Sequence, residues 1–231
     1  MARVHIEMIV LAFDIERSGA NSARGKKPNH TIAIGASVVS DEFKELDNLF
    51  LPMYLPDLVE FEPRCWDEFW SKNTAVLEQL KYAGEDVNLR EEVESEAIKE
   101  FQAFRAKWET YADEHNMGFE LASDNNVFDG GFINELINTY TLDLPIPYTA
   151  STAGQKYRPF WETHAQQRGL LMSVDPAFNA NWGLTKRIAE LYDVPDMVKF
   201  HDHLPHHDAY TIAFEQQVLL GIRDGRIKRR G

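Results

Sequence analysis

The order of hydrophobic patterns predicts an α/β domain with a central mixed sheet of about five strands flanked by helices. Three strand-like stretches open the chain close together, and strand-like and helix-like stretches then alternate. The 231 residues are 44% hydrophobic and 26% charged, an ordinary globular balance. A chain of this length buries enough surface to fold without covalent staples. Residues 1–231 are expected to form one domain, with a helical segment at about 60–115 and a basic tail at 223–231.

Residues 6–14 read as the first strand. HTIAIGASVVSD (30–41) is the second, rich in β-branched residues, and KELDNLFLPM (44–53) the third, stopped by Pro52. The short gap between the last two suggests a hairpin, so the first three strands run antiparallel. Residues 66–83 look helical. Residues 89–115 do so more firmly, because Leu89, Val93, Ala97, Phe101, Phe104, Trp108 and Tyr111 recur three or four apart, the spacing of a core-facing stripe. GFELAS (118–123) is a short strand and VFDGGFINELINTY (127–140) a helix. A less regular, proline-containing stretch runs to about residue 170. Helices follow over 181–194 and 205–222, the last with Pro205 in its first turn, where a missing N–H costs little.

The chain contains one cysteine, Cys65. That excludes an internal disulfide and a zinc site built on several thiolates. An intracellular, cytoplasmic setting is expected. The N-terminal MARVHIEMIVLAF lacks a signal-peptide pattern, and no apolar run approaches the roughly 18 residues that span a bilayer, so no membrane partner is expected. A net charge of −13 argues against coating nucleic acid by bulk electrostatics. A local basic groove remains open: Arg17, Arg24, Lys26 and Lys27 lie in a stretch with no acid, and RDGRIKRRG closes the chain. A solvated loop and a frayed tail are the alternatives.

Three stretches place acids where chemistry is plausible. In VLAFDIERSG, Asp14 and Glu16 stand at i and i+2 on a strand and share one face. Like charges side by side repel, and a hard divalent cation relieves them. A strand simply emerging into water is the alternative. In SDNNVFDGGF, Asp129 falls in the first turn of a helix, near its positive end. In HDHLPHHDAY, Asp208 does the same, with His203 in the preceding loop. The four histidines of that segment also suit a transition metal such as zinc, or a solvent-exposed loop.

Together, Asp14, Glu16, Asp129, His203 and Asp208 resemble the pattern of the DEDDh 3′–5′ exonucleases of the ribonuclease H-like superfamily. The first family motif is D-x-E on the first strand, here Asp14-Ile15-Glu16-Arg17-Ser18-Gly19. The second is His-Asn-x-x-Phe-Asp, here Asp124-Asn125-Asn126-Val127-Phe128-Asp129. The third is a histidine five residues before an Asp-Ala pair, matched by His203 and Asp208-Ala209. The resemblance covers about residues 8 to 222 in order. Ser18 stands where threonine is frequent. Asp124 replaces the usual histidine, adding charge near the site or facing solvent. Pro205 replaces a small residue. His206 and His207 lie closer to Asp208, but the family spacing favours His203.

The resemblance implies removal of nucleoside monophosphates from the 3′ end of single-stranded DNA or RNA with two divalent cations, Mg²⁺ or Mn²⁺. It implies that Asp14 bridges both cations, that Glu16 and Asp208 hold one, and that Asp129 completes the other. His203 is the implied general base, and a histidine's unperturbed pKa near 6.5 suits the task. Ile15, Arg17 and Ser18 fall where the family places the terminal nucleotide. Phe128 either contacts its base or sugar or belongs to the core. Arg24, Lys26 and Lys27 are candidates for guiding phosphates. Trp66, Phe69 and Trp70 form either a homodimer surface or a patch buried on the sheet. The rival readings are a non-catalytic nucleic-acid-binding or protein-interaction module on the same fold, and a zinc hydrolase built on HDH.

Overall fold

The computed structural model describes residues 7–19, 30–84, 89–143, 146, 160–178, 183–196 and 202–231. The basic residues Arg24, Lys26 and Lys27, most of the proline-containing stretch before residue 160, and His201 lie outside the described residues.

Among the described residues, five strands form one mixed sheet: β1 (Met8–Arg17), β2 (Thr31–Ser40), β3 (Glu45–Pro52), β4 (Gly118–Ser123) and β5 (Phe160–Glu162), in the order β3-β2-β1-β4-β5. The first three are antiparallel, while β4 runs parallel to β1 and β5 parallel to β4. This is the mixed sheet, antiparallel through its first three strands, that the sequence led us to expect.

β1 is longer at its C-terminal end than the hydrophobic run indicated. Its pairing with β2 continues past Asp14 (opposite Gly35) to Glu16 (opposite Ala33), with a bulge before Arg17. Its pairing with β4 stops at Ala12 opposite Ala122. Residues 14–17 are therefore held by β2 alone, and the space beside them is left to other groups.

The strand's two-residue period divides the core. Ile9, Leu11, Phe13 and Ile15 face α3 (Arg90–Glu114) and α4 (Gly131–Tyr140), packing with Ile98, Phe101 and Ile133. Phe13 meets the Phe101 ring edge-on at 5.5 Å and stacks on Phe160 at 5.4 Å. The helical stripe is core as expected over Val93, Ala97, Phe101 and Trp108, whereas Leu89 and Tyr111 are exposed. Val10 and Ala12 point the other way, onto Ile212, Ala213 and Leu220 of α7 (Pro205–Arg223). Asp14 and Glu16 continue that second set, so their side chains emerge on the α7 face.

Two expectations are corrected, and one open alternative is decided. The helix foreseen over 66–83 is α1 (Pro63–Glu68), a 3-10 turn (Trp70–Lys72) and α2 (Thr74–Gln79). The break falls at Phe69, where Trp70 turns inward, 1% exposed, and its Nε1 donates to Arg17 O at 2.9 Å. Ser71 and Asn73 side chains bond to carbonyls four residues back, which competes with helix continuation. Trp70 is thus buried within its own chain, while Trp66 remains 38% exposed. Second, the stretch running to 170 contains β5 and α5 (Thr163–Val174). The buried residues of α5 are Thr163, Gln167 and Leu171, so most of its inward face is polar and carries little apolar period. Third, the C-terminal tail is not frayed. Ile227 is buried, Lys228 O accepts from the Asp193 N–H at 2.9 Å, and the Arg230 N–H donates to Leu191 O at 2.8 Å, beside α6 (Leu184–Leu191).

Among the described residues no helix is long and apolar enough to cross a membrane. A partly buried polar cluster joins α3 and α4 to the chain at His30. Arg90 donates to Glu94 at 2.9 Å and contacts His30, while the Tyr140 hydroxyl donates to Glu94 at 2.8 Å. Burial, then Arg90 and Arg17, hold the His30 pKa down to about 4, against about 6.5 for an unfolded histidine. The folded state therefore binds fewer protons between these values. This stability is fully present above about pH 6.5 and is lost as pH falls toward 4. Relative to the His30→Gln variant, the wild-type urea midpoint should therefore fall as pH drops across this window.

Candidate metal centre

Three chain segments converge at the end of β1. β1 supplies Asp14 and Glu16. Beyond β4 the chain enters a π-helical turn (Asn126–Gly130) that leads into α4 and carries Asp129. This turn is fastened at both ends. Asn125 caps it, its Oδ1 accepting from the Phe128 N–H at 3.1 Å, and its own N–H donates to Asp129 Oδ2 at 3.3 Å. With the Asn126 amide oriented to satisfy both ends, its nitrogen donates to Ser123 Oγ at 2.8 Å and Trp161 O at 3.0 Å, linking the turn to β4 and β5. The third segment is the start of α7, with His203 just before it and Asp208 in its first turn.

Gly35 admits that helix end. A Cβ there would lie 2.1 Å from Pro205 C and 2.1 Å from His206 N, so α7 can rest on β2 only where a strand residue has no side chain. Because Gly35 pairs with Asp14, this close approach brings Asp208 to the acidic strand end.

The resulting donors fall into two groups, each with potential ligand atoms within 4.8 Å of one another: Glu16, His203 and Asp208, and Asp14, Asp124 and Asp129. Cations bound at about 2.0–2.6 Å to oxygen can be held by such sets after small side-chain adjustments. The five residues singled out in sequence are all brought together. Asp124, whose direction the sequence left open, joins them.

Electrostatics makes the cluster unfavourable without a counter-charge. Burial pushes Asp14 well above the usual carboxylate range, and Asp129, Glu16, Asp124 and Asp208 push it further. Burial and then Asp208 and Asp124 raise Glu16. Burial and Asp124 raise Asp129, which is 2% exposed, although the Asn125 N–H and the Ser123 hydroxyl pull the other way. Carboxylates held this close are relieved by cations that take oxygen ligands.

His203 Nδ1 lies 3.8 Å from Glu16 Oε1, and its ring meets the Phe69 ring edge-on at 4.5 Å. Its φ is +60°, a left-handed conformation that costs a non-glycine residue roughly 1–2 kcal/mol and persists where neighbours impose it.

The positions read as nucleotide contacts have other surroundings. The Ile15 side chain is in the core, paired through its backbone with Ile34. Ser18 is fully buried: its hydroxyl accepts from the His30 N–H at 2.9 Å and its carbonyl accepts from the Glu62 N–H at 2.9 Å, closing the base of the 19–30 segment. Arg17 is buried with its guanidinium 3.1 Å over the Phe132 ring. Burial lowers its pKa to about 10, with Glu135 and Glu94 opposing, so it stays charged at neutral pH. Phe128 is half-buried, edge-on to Phe132 at 5.0 Å.

No family model matches the chain, and no curated protein matches it in sequence. Among solved structures, the chain is similar to the nuclease domain of 3'hExo, a DEDDh family member, determined bound to rAMP. The TM-score is 0.46 and the identity 8%, over 96% of each chain. The functional reading rests on the carboxylates themselves.

Proposed function

We propose that the chain is a metal-dependent 3′–5′ exonuclease that hydrolyses the terminal phosphodiester of single-stranded DNA or RNA and releases nucleoside monophosphates. One observation carries this reading. Acids from three distant parts of the chain meet at one strand end as two adjoining donor groups. Oxygen donors dominate, and each group contains at most one histidine, which favours Mg²⁺ or Mn²⁺ over zinc.

When bound, two such cations supply charge neutralisation for the attacking and leaving oxygens of an in-line displacement. Asp14 belongs to the second group and is close enough to Glu16 and Asp208 of the first to feel their charge, which makes it the candidate to serve both. Glu16 and Asp208 would hold one cation, and Asp129 with Asp124 the other. His203 takes the proton of the attacking water. Of the positions that the family pattern assigns to the terminal nucleotide, the half-buried Phe128 is the candidate to line its approach, while Ile15, Arg17 and Ser18 are buried behind the acids. Val127, 79% exposed between Asn126 and Phe128, adds an apolar surface suited to a base.

Asp124 makes the second group more acidic than the family pattern. The Asp124→Asn variant should bind Mn²⁺ about 10-fold more weakly, since one of three charges in that group is removed. A Mn²⁺ titration followed by electron paramagnetic resonance checks this.

The proposal is tested with 3′- and 5′-labelled single strands, DNA and RNA side by side, in Mg²⁺, Mn²⁺ or EDTA. Stepwise loss from the 3′ end, abolished by EDTA and slowed about 10²- to 10⁴-fold by His203→Ala, is the expected result. Binding without degradation in every metal would contradict it and favour a non-catalytic nucleic-acid-binding module.

A further inference from the structure

The loop that carries His203 is closed by a pair outside the two donor groups. Asp202 Oδ2 pairs with His207 Nδ1 at 2.8 Å, and Asp202 Oδ1 accepts from the Leu204 N–H at 3.2 Å. The His207 N–H donates to Leu204 O at 2.9 Å. Leu204 is itself buried beside Trp70. His203 sits inside this closure with its left-handed backbone, between Glu16 on one side and the Phe69 ring on another.

A short loop held at both ends restricts where the side chain between them can point. A general base depends on that restriction, because proton transfer requires a defined reach to the attacking water. We propose that Asp202 and His207 form a clasp that positions His203, so that Asp202 is a positioning residue for the hydrolytic step. This rests on the nuclease reading. Asp202 reaches the chemistry only through the loop: it is exposed and lies outside both donor groups.

The test compares Asp202→Ala, Asp202→Asn, His203→Ala and the Asp202→Ala/His203→Ala double variant on a labelled oligonucleotide in saturating Mg²⁺. For Asp202→Ala we expect kcat to fall about 10- to 100-fold, with KM and the Mg²⁺ dependence unchanged. Asp202→Asn should recover part of the loss, because its carbonyl still accepts from the Leu204 N–H and its amide can donate to a neutral His207 Nδ1. In the His203→Ala background, Asp202→Ala should cost nothing further. A wild-type kcat in Asp202→Ala, or the same loss with His203 already removed, would overturn the clasp.

The His203 ring-proton resonances give a readout that needs no catalysis. The Phe69 ring, 4.5 Å away, should displace them in the wild type, and they should move toward free-histidine positions in Asp202→Ala. Unchanged resonances would also overturn the clasp. If the wild type degrades no strand, the nuclease reading fails, and the resonances still decide whether Asp202 holds His203.

Discussion

Replacing Asp14 by asparagine is expected to abolish hydrolysis and, in the metal-free protein, to raise the melting temperature. Both effects have one cause. Asp14 is driven away from ionisation by burial and by Asp129, Glu16, Asp124 and Asp208. A carboxylate whose folded pKa is raised contributes stability that is present below its unfolded pKa, near 4, and is lost as pH rises through the folded value. At pH 7 in EDTA the wild type has therefore lost stability at this position, and asparagine restores it. A rise of roughly 2–4 °C corresponds to about 1 kcal/mol for a chain of this size. Metal reverses the order. Mg²⁺ should raise the wild-type melting temperature and leave Asp14→Asn nearly unmoved. The rate should fall on the order of 10³-fold or more, since stabilisation worth several kcal/mol is lost. Paired melts in EDTA and Mg²⁺, together with one rate measurement, check all three statements.

Gly35→Val should be the most damaging single change outside the donor groups. The atoms that a Cβ would strike at 2.1 Å belong to the Pro205 and His206 main chain, so no rotamer change relieves the clash. The start of α7 must move off β2, carrying Asp208 and the His203 loop with it. Overpacking of this kind costs roughly 3 kcal/mol or more, and activity should be lost with it. Gly169→Ala provides the contrast. Gly169 lies within α5, and a Cβ there meets nothing within 4 Å, so about 0.5–1 kcal/mol of stabilisation is expected. Urea unfolding of both variants, with rates measured in parallel, tests whether the Gly35 contact positions the site.

Much of this was legible in the chain because the signals are local. The β-branched run at 30–41, the stripe from Val93 to Trp108 and the D-x-E at the end of an apolar strand each follow from spacing alone. What stayed hidden depends on tertiary contact. The break at Phe69 exists because Trp70 finds the Arg17 carbonyl, a partner 53 positions away. α5 escaped notice because two of its three buried residues are Thr163 and Gln167. Gln167 donates to Glu215 of α7 at 2.9 Å, a hydrogen bond with no sequence period. At the site, the four acids and the histidine are singled out by their motifs, but the direction of Asp124 is not. Gly35 was readable in principle, since a glycine inside a β-branched strand marks close backbone approach. The arrival of α7 there was not.

The most direct test of the central claim is anomalous diffraction from crystals grown with Mn²⁺ and a nucleoside monophosphate. The expected result is two manganese peaks about 3.5–4 Å apart, with Asp14 between them, Glu16 and Asp208 on one, and Asp129 with Asp124 on the other. A single ion held by imidazoles of the 202–207 segment, or no ion at the end of β1, would contradict a two-metal nuclease centre.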